Sequence, residues 1–466
     1  MPHPSIPVVF VPRSSTGNAV PVTFVTAASW GELRASLDAQ TSTYATAAGF
    51  EPRAGRHLLL PGKEGALAGV LFGLEDADDP AKDLLRPGAL PALLPAGTYR
   101  FANAPHDARL AALAFALGSY RFARYRKAED KALSLELPGN VDGVDLARIV
   151  EGVALARDLI NTPANDMGPG ELETTAHELA RRHGATFRAI VGSDLLSDNF
   201  PLIHAVGRAA DRAPRLIDMS WGNLNAPKVT LIGKGVCFDT GGLDIKPDSG
   251  MLNMKKDMGG AATVLALAHM LMDAHAKVRL RVLIPAVENA ISGAAFRPRD
   301  IYRSRKGITV EIGNTDAEGR LILADALALA DEEAPELIVD MATLTGAARV
   351  ALGPEVVPFY TDDDALADAL VRSGQDECDP LWRLPLWRPY DQMLDSKVAD
   401  INNVSSGGFA GSITAALFLR RFVTAAKAWL HCDIFAWNQA ARPGRPEGAE
   451  CQGARALYHL IAERYG

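Results

Sequence analysis

Short apolar runs alternate with longer stretches whose apolar residues recur at helical spacing over most of the chain. Strands are predicted at Phe187–Val191, Leu216–Ser220, Val229–Ile232, Val278–Val287, Thr309–Ile312, Leu337–Met341 and Trp429–Asp433. Helices are predicted at Val144–Leu159, Gly170–His183, Ala261–Ala274, Leu321–Glu333 and Thr414–Phe422. Strands that alternate with helices of this length pair in parallel and carry helices on both faces. The pattern therefore predicts an α/β fold.

The first third of the chain is predicted to form a separate, small α/β domain. Its elements are predicted as strands Ile6–Val11, Val20–Val25, His57–Pro61 and Leu67–Phe72, and a helix Asp107–Tyr120. The segment Leu94–Phe101 contains a proline and a glycine, so it is expected to be a loop or an edge strand.

The length of 466 residues exceeds what one ordinary hydrophobic core accommodates, so two domains are expected. We predict a smaller N-terminal domain at 1–145, a linker helix and loop at 146–165, and a C-terminal domain at 166–466. Each domain is expected to hold a mixed, largely parallel sheet flanked by helices.

Composition and charge narrow the class of protein. Hydrophobic residues make up 48% and charged residues 22% of the chain, as in an ordinary globular protein, and the net charge of −8 argues against nucleic acid as a main partner. Cys237, Cys378, Cys432 and Cys451 lack CxxC spacing and are expected to be reduced thiols. Met1–Ser5 lacks the start of a signal peptide, and no apolar run reaches the roughly 18 residues of a membrane span. A cytoplasmic enzyme without a membrane partner is expected.

Charged residues gather where the predicted strands and helices meet. Three segments carry them: Gly233–Lys246, Met254–Ala262 and Asn314–Leu321, the last reading Asn-Thr-Asp-Ala-Glu-Gly-Arg-Leu. The candidate residues are Lys234, Asp239, Lys246, Asp257, Asp316, Glu318 and Arg320. Ligands bind at the carboxyl ends of strands in α/β sheets, which favours a functional site. Taken alone, the acids of the third segment could equally cap a helix.

Four carboxylates in one crevice repel one another unless protons or cations offset their charge. Divalent metal is the simplest answer, and carboxylate ligands without histidine suit magnesium, manganese or zinc. Two lysines among the acids favour a hydrolase with two ions, because one lysine could bind an ion as a neutral amine and the other could pair with an oxyanion. His-Glu-x-x-His and Gly-x-Ser-x-Gly are both absent from the sequence.

The three segments, in this order and with this spacing, resemble the leucyl aminopeptidase (cytosol aminopeptidase) family of dimetal peptidases. The octapeptide Asn314–Leu321 is highly specific to that family. The resemblance covers the chain from about residue 150 to its C-terminus. It implies a catalytic C-terminal domain, peptide substrates with leucine or a similar residue at the N-terminus, a homohexamer, and two divalent ions per subunit, zinc or manganese with magnesium possible.

The resemblance also implies a role for each candidate residue. Lys234 and Asp257 would bind one ion, Asp316 would bind the other, and Asp239 and Glu318 would be shared between the two ions. The remaining assignments, by position, are Lys246 for polarising the carbonyl and stabilising the oxyanion, Arg320 for holding a bicarbonate-like anion, and Met254, Thr343 and Gly346 for the pocket of the N-terminal side chain.

Some positions depart from the family pattern. Asp433–Trp437 carries bulkier residues than the small ones usual there, and Glu450–Gly453 also replaces a small-residue pattern. Both changes bear on the substrate pocket, so the preferred N-terminal residue stays open. Two other functions fit the sequence less well: DNA binding, which the acidic net charge disfavours, and a metal-dependent phosphohydrolase, which gives no reason for two lysines.

Overall fold

The structure is a computed structural model and describes residues 6, 8–12, 18–62, 65–126 and 131–466. The predicted absence of a signal peptide therefore falls on residues outside this part, as does one residue of the first predicted strand. The chain divides into two compact units. The first runs to Ala154 and includes Gln439–Glu447, and the second comprises Leu155–Asn438 and Gly448–Gly466.

The first unit contains a sheet with strand order β1-β6-β5-β2-β4-β3. Its elements are β1 (Val8–Val11), β2 (Val20–Val25), α1 (Trp30–Ser36), α2 (Ala39–Ala47), β3 (His57–Pro61), β4 (Leu67–Gly73), a 3-10 turn (Arg86–Ala89), α3 (Leu90–Leu93), β5 (Gly97–Phe101), α4 (Ala108–Gly118), β6 (Leu133–Glu136) and the start of α5 (Gly143–Asn161). Only the pair β3 and β4 is antiparallel among the described pairs of this sheet. A mixed, largely parallel sheet flanked by helices is confirmed.

The prediction for Leu94–Phe101 was wrong. β5 lies inside the sheet, between β6 and β2, and is neither a loop nor an edge strand. Pro95 precedes the strand and so removes no hydrogen bond from its ladder. Its carbonyl instead accepts a hydrogen bond of 2.8 Å from the buried hydroxyl of Tyr99.

The second unit contains the larger sheet. Its first elements are α6 (Pro169–His183), β7 (Thr186–Val191), α7 (Asp194–Ser197), α8 (Pro201–Gly207), β8 (Arg215–Trp221), β9 (Lys228–Gly233), β10 (Gly235–Asp239), α9 (Asp248–Met251), a 3-10 helix (Met254–Met258), α10 (Gly259–Asp273), β11 (Arg279–Asn289), β12 (Ile301–Arg303) and β13 (Thr309–Glu311). The rest are α11 (Glu318–Asp331), β14 (Leu337–Ala342), α12 (Gly346–Leu352), β15 (Val357–Tyr360), α13 (Asp364–Asp376), β16 (Leu381–Arg383), a 3-10 helix (Arg388–Leu394), β17 (Ile401–Asn402), α14 (Gly411–Arg420), β18 (Trp429–Asp433), β19 (Trp437–Asn438), β20 (Gly448–Ala449) and α15 (Ala454–Tyr465).

The large sheet has the strand order β16-β15-β18-β14-β9-β11-β8-β7, with β10 paired to β11. Its centre is parallel, because β18, β14, β9 and β11 pair in parallel in that order. Antiparallel pairs flank this centre, β11 with β8 and β8 with β7 on one side and β18 with β15 on the other. Helices form two groups, α10 with α6 and α15, and α11 with α8 and α14. The central strands are almost wholly buried, as expected for parallel strands covered on both faces.

Two boundaries near the candidate residues differ from the prediction. α11 begins at Glu318, three residues before the predicted start, so Glu318 and Arg320 lie in its first turn and not in the turn before the helix. The Gly233–Lys246 segment contains strand β10, which ends at Asp239. Within the described part of the chain, no helix has the length and apolar character needed to cross a membrane.

Candidate metal centre

The centre lies at the carboxyl edge of the parallel strands. β9 and β14 pair in parallel with Gly233 opposite Met341, so the residues that follow them leave the sheet at the same edge. The backbone N–H of Lys234 donates to the carbonyl of Met341 at 3.0 Å, and Lys234 Nζ donates to the carbonyl of Thr343 at 2.8 Å. The register of two buried strands thus fixes the position of Lys234.

The N-terminus of α10 packs directly on these strand ends. A Cβ at Gly260 would lie 2.1 Å from the carbonyl oxygen of Met341, so only glycine permits this approach. The N–H of Ala261 donates to the carbonyl of Lys234 at 2.9 Å. The 3-10 helix before α10 thereby brings Asp257 to Lys234, with 2.8 Å between Lys234 Nζ and Asp257 Oδ2.

The other charged residues join from β10, the loop after it and the start of α11. Lys234 Nζ lies 2.9 Å from Glu318 Oε1. Lys246 Nζ lies 2.9 Å from Asp239 Oδ2 and forms an ion pair with Asp316. Asp239, Asp316 and Glu318 each offer a carboxylate oxygen, and these oxygens lie within 4.8 Å of one another. Lys234, Asp239, Lys246, Asp257, Asp316 and Glu318 therefore form one cluster.

Burial and mutual repulsion raise the pKa values of three of the acids, Asp257, Asp316 and Glu318. Burial raises the pKa of Glu318 to about 8, and the charge of Asp239 adds to this shift. Burial likewise raises the pKa of Asp316 to about 6 and the pKa of Asp257 above its usual range. Burial alone would lower the pKa of Lys234, but the charges of Asp257 and Glu318 outweigh burial and raise it.

The donor set fits divalent ions. Glu318 is 1% exposed, and its Oε2 accepts no hydrogen bond from any residue that the structure describes. An unsatisfied buried carboxylate oxygen is costly, and a cation satisfies it. Carboxylate oxygens at this spacing are ligands for magnesium, manganese or zinc.

Arg320 lies in the first turn of α11 and is 8% exposed. One guanidinium nitrogen, Nη1, donates to the carbonyl of Asn403 at 2.7 Å. Arg320 Nε is buried and has no hydrogen-bond partner among the described residues, and burial lowers the pKa of the side chain to about 10. A guanidinium with unused N–H groups is a suitable site for a planar anion.

The residues predicted for the substrate pocket adjoin the cluster to different degrees. Thr343 is 7% exposed, and its Oγ1 donates to Asp257 Oδ1 at 2.7 Å. Met254 opens the 3-10 helix that carries Asp257. Gly346 is exposed and begins α12, three residues after Thr343.

Three supporting residues were not predicted from the sequence. Asn289 Nδ2 donates to Asp239 Oδ1 at 2.9 Å and to the carbonyl of Thr315 at 3.1 Å. Thr315 Oγ1 donates to the carbonyl of Gly241 at 2.6 Å. Asn403 Oδ1 accepts from the N–H of Gly313 at 2.7 Å, upstream of Asp316. Asn289 could have been predicted, because it is a polar residue at the end of the apolar strand β11. Asn403 could not, because it follows a strand of only two residues, which leaves no hydrophobic pattern in the sequence.

A buried cluster of carboxylates and lysines, placed at the carboxyl edge of a parallel α/β sheet, defines a metal-dependent hydrolase. The family model described as the catalytic domain of the cytosol aminopeptidase family matches residues 154–458, and that of the M17 aminopeptidase N-terminal domain matches residues 20–138. The chain belongs to the cytosol aminopeptidase family. It is a metal-dependent aminopeptidase that acts on peptides, and its C-terminal domain is catalytic.

Similar proteins cover nearly the whole chain. A probable cytosol aminopeptidase of Geobacter sp. (strain M21) is 38% identical over 447 residues, covering 89% of this chain and 90% of that protein. The crystal structure of the cytosol aminopeptidase from Coxiella burnetii is 45% identical and has a TM-score of 0.93, covering 99% of this chain and 100% of that chain. The bottromycin maturation enzyme BotP in complex with Mn is 31% identical with a TM-score of 0.86, covering 97% and 100%.

Proposed function

We propose that the clustered side chains hold two divalent ions. Lys234 and Asp257 would hold one ion, Asp316 would hold the second, and Asp239 and Glu318 would serve both. The observation that carries this assignment is the set of close carboxylate oxygens from Asp239, Asp316 and Glu318, together with the unsatisfied Oε2 of Glu318. Lys234 would serve as a neutral amine ligand in this arrangement, with its ammonium proton released to solvent.

Bound divalent ions supply Lewis acidity, which activates a water molecule and polarises the carbonyl of the N-terminal peptide bond. The ammonium of Lys246 donates a hydrogen bond to the oxyanion that develops on that carbonyl. Its position beside Asp239 and Asp316 supports this role. Arg320 would hold a bicarbonate-like anion through its unused N–H groups, and such an anion would supply a proton acceptor there.

Zinc or manganese is the expected metal, with magnesium as an alternative. Lysine as an amine ligand favours zinc over magnesium, which prefers oxygen. The manganese in the BotP structure supports manganese. Met254, Thr343 and Gly346 line the pocket for the N-terminal side chain, and leucine or a similar residue is the expected occupant. The contact between Thr343 and Asp257 supports a pocket next to the ions.

The active protein is a cytoplasmic homohexamer in this proposal. The names and similarity of the relatives support the cytoplasm, and the family resemblance supports the hexamer. Size-exclusion chromatography with light scattering should give a particle of about six times the mass of one chain. A monomeric but active enzyme would contradict the hexamer and leave the chemistry in place.

The experiment that tests the function measures release of aminoacyl p-nitroanilides. The purified protein is stripped with a chelator and then given manganese, zinc or magnesium, with Glu318→Ala as the matched variant. Activity should disappear on chelation, return with the right metal, and stay absent in the variant. A folded, metal-loaded wild-type protein that cleaves no substrate would overturn the proposed function.

A further inference from the structure

Lys256 is a buried cation without an anionic partner among the residues that the structure describes. The residue is 6% exposed, and its Nζ forms neither a hydrogen bond nor an ion pair with any residue that the structure describes. Its neighbours in sequence differ, because Lys255 Nζ donates to the carbonyl of Asn161 at 2.7 Å and Asp257 pairs with Lys234. Burying an ammonium without an anion is costly, so an anion is expected to reach Lys256 during function.

The nearest group to this ammonium is an aromatic ring. Lys256 Nζ lies 4.4 Å from the centre of the Phe435 ring, within the range of a cation–π contact. Arg349 approaches the same ring, with 5.8 Å between its Cζ and the ring centre. Asp433 accepts from Arg349 at 3.1 Å, so the arginine has a counter-charge, although its buried Nη1 has no hydrogen bond to a described residue. The excess charge at the ring is therefore positive.

This positive group lies at the wall of the proposed substrate pocket. Lys256 belongs to the 3-10 helix between Met254 and Asp257. A Cβ at Gly259 would lie 2.4 Å from Ala436 Cβ and 3.3 Å from Thr343 Cγ2, so the segment after β18 and Thr343 both pack against the start of α10, directly after this 3-10 helix. Phe435 belongs to the segment whose residues are bulkier than the family pattern. The Phe435 ring and the Lys256 ammonium thus lie at the same wall of the proposed substrate pocket.

We propose that Lys256 binds the side-chain carboxylate of an N-terminal glutamate or aspartate, which makes it a specificity-determining residue for acidic N-terminal residues. The inference rests on the proposed function. A carboxylate supplies the acceptor oxygens that the ammonium lacks, and the CH₂ groups of the substrate pack on the Phe435 ring. The C-terminal carboxylate of a short peptide has the same chemistry, but Lys256 shares a helix with Met254, which favours the N-terminal side chain.

The test compares substrates that differ in one charge. Release rates are measured for the aminomethylcoumarin amides of Glu, Gln and Leu, with wild type, Lys256→Met and Lys277→Met. Lys277 is exposed in the turn between α10 and β11 and controls for the loss of a positive charge. Wild type and Lys277→Met should prefer Glu to Gln by roughly 10- to 100-fold in kcat/KM, and Lys256→Met should lose that preference.

A binding measurement gives a second readout. Calorimetry should show that L-glutamate binds the metal-loaded wild type more tightly than L-glutamine does, and that Lys256→Met removes the difference. Equal kcat/KM values of the wild type for the Glu and Gln amides, with Leu still released, would overturn this inference and leave the proposed function intact. If Lys256→Met lowered kcat/KM for Leu-Gly but not for Leu-glycinamide, Lys256 would bind the C-terminal carboxylate of the peptide, and the inference would be overturned. Release of no amino acid at all would refute the proposed function.

Discussion

Gly319 makes room for Lys234: a Cβ added at Gly319 would lie 2.5 Å from Lys234 Cε and 2.7 Å from its Nζ. Lys234 cannot yield easily, because it is 3% exposed and is held by Asp257, Glu318 and the carbonyl of Thr343. The absence of a side chain at this helical position therefore determines where a proposed metal ligand stands.

Gly319→Ala should displace Lys234 and lower kcat/KM by roughly 100-fold, because small misplacements of catalytic groups are costly. The fold should persist, since alanine favours a helix over glycine. Kinetics measure the loss of kcat/KM, metal content after dialysis measures the effect on the proposed ligand, and circular dichroism checks that the fold persists. Gly293→Ala is the control, because nothing lies within 4 Å of a Cβ there. Full activity of Gly319→Ala would contradict the expected displacement of Lys234.

Thr343→Val should weaken metal binding by roughly 10- to 100-fold, because it removes the hydrogen bond that orients Asp257. Calorimetric titration of the stripped protein with manganese or zinc measures the effect. Thr343→Ser retains the hydroxyl and should bind metal almost as the wild type does. A raised KM with unchanged metal affinity would instead limit Thr343 to the substrate pocket.

Lys246→Met should lower kcat by roughly 100- to 1000-fold, as expected for a lost oxyanion donor. Metal affinity should not fall, because the lysine now pairs with Asp239 and Asp316 and would compete with an ion for them. Stopped-flow kinetics and a metal titration separate the two effects. Loss of bound metal in this variant would argue that Lys246 organises the carboxylates and does not act on the substrate.

The pair of His431 and Asp340 should make stability depend on pH. Both are fully buried, with 2.5 Å between His431 Nδ1 and Asp340 Oδ1, and Trp429 Nε1 donates to Asp340 Oδ2 at 2.7 Å. Burial alone would lower the pKa of His431, but the charge and hydrogen bond of Asp340 raise it overall. The stabilisation is therefore complete below the unfolded-state pKa and is lost as pH rises through the folded-state pKa.

Asp340→Asn should accordingly reduce the free energy of unfolding by about 3 kcal/mol at about pH 5.5 and by clearly less at about pH 9. Urea unfolding of both proteins at the two pH values measures the difference. His431→Gln should abolish the pH dependence of that difference. An equal cost of Asp340→Asn at both pH values would mean that His431 stays neutral in the folded protein.

Much of the fold and of the cluster follows from local sequence. Buried parallel strands leave continuous apolar runs, and the charged residues directly after Val229–Ile232 and Thr309–Ile312 are conspicuous because of that contrast. Asn289, Asn403 and Lys256 were missed because their importance depends on contacts between distant segments. Asn289 lies 50 residues from Asp239, and Asn403 lies 83 residues from Arg320. β5 was misjudged because a proline was counted against a strand that it only precedes.

The pairing of Lys234 and Lys246 with the four carboxylates has a consequence for the cost of burying these acids. Each ammonium lies between two carboxylates, so the chain itself supplies counter-charges inside the cluster. Buried charges are costly when they have no partner. The two lysines therefore also lower the free-energy cost of placing four acids side by side in the folded protein.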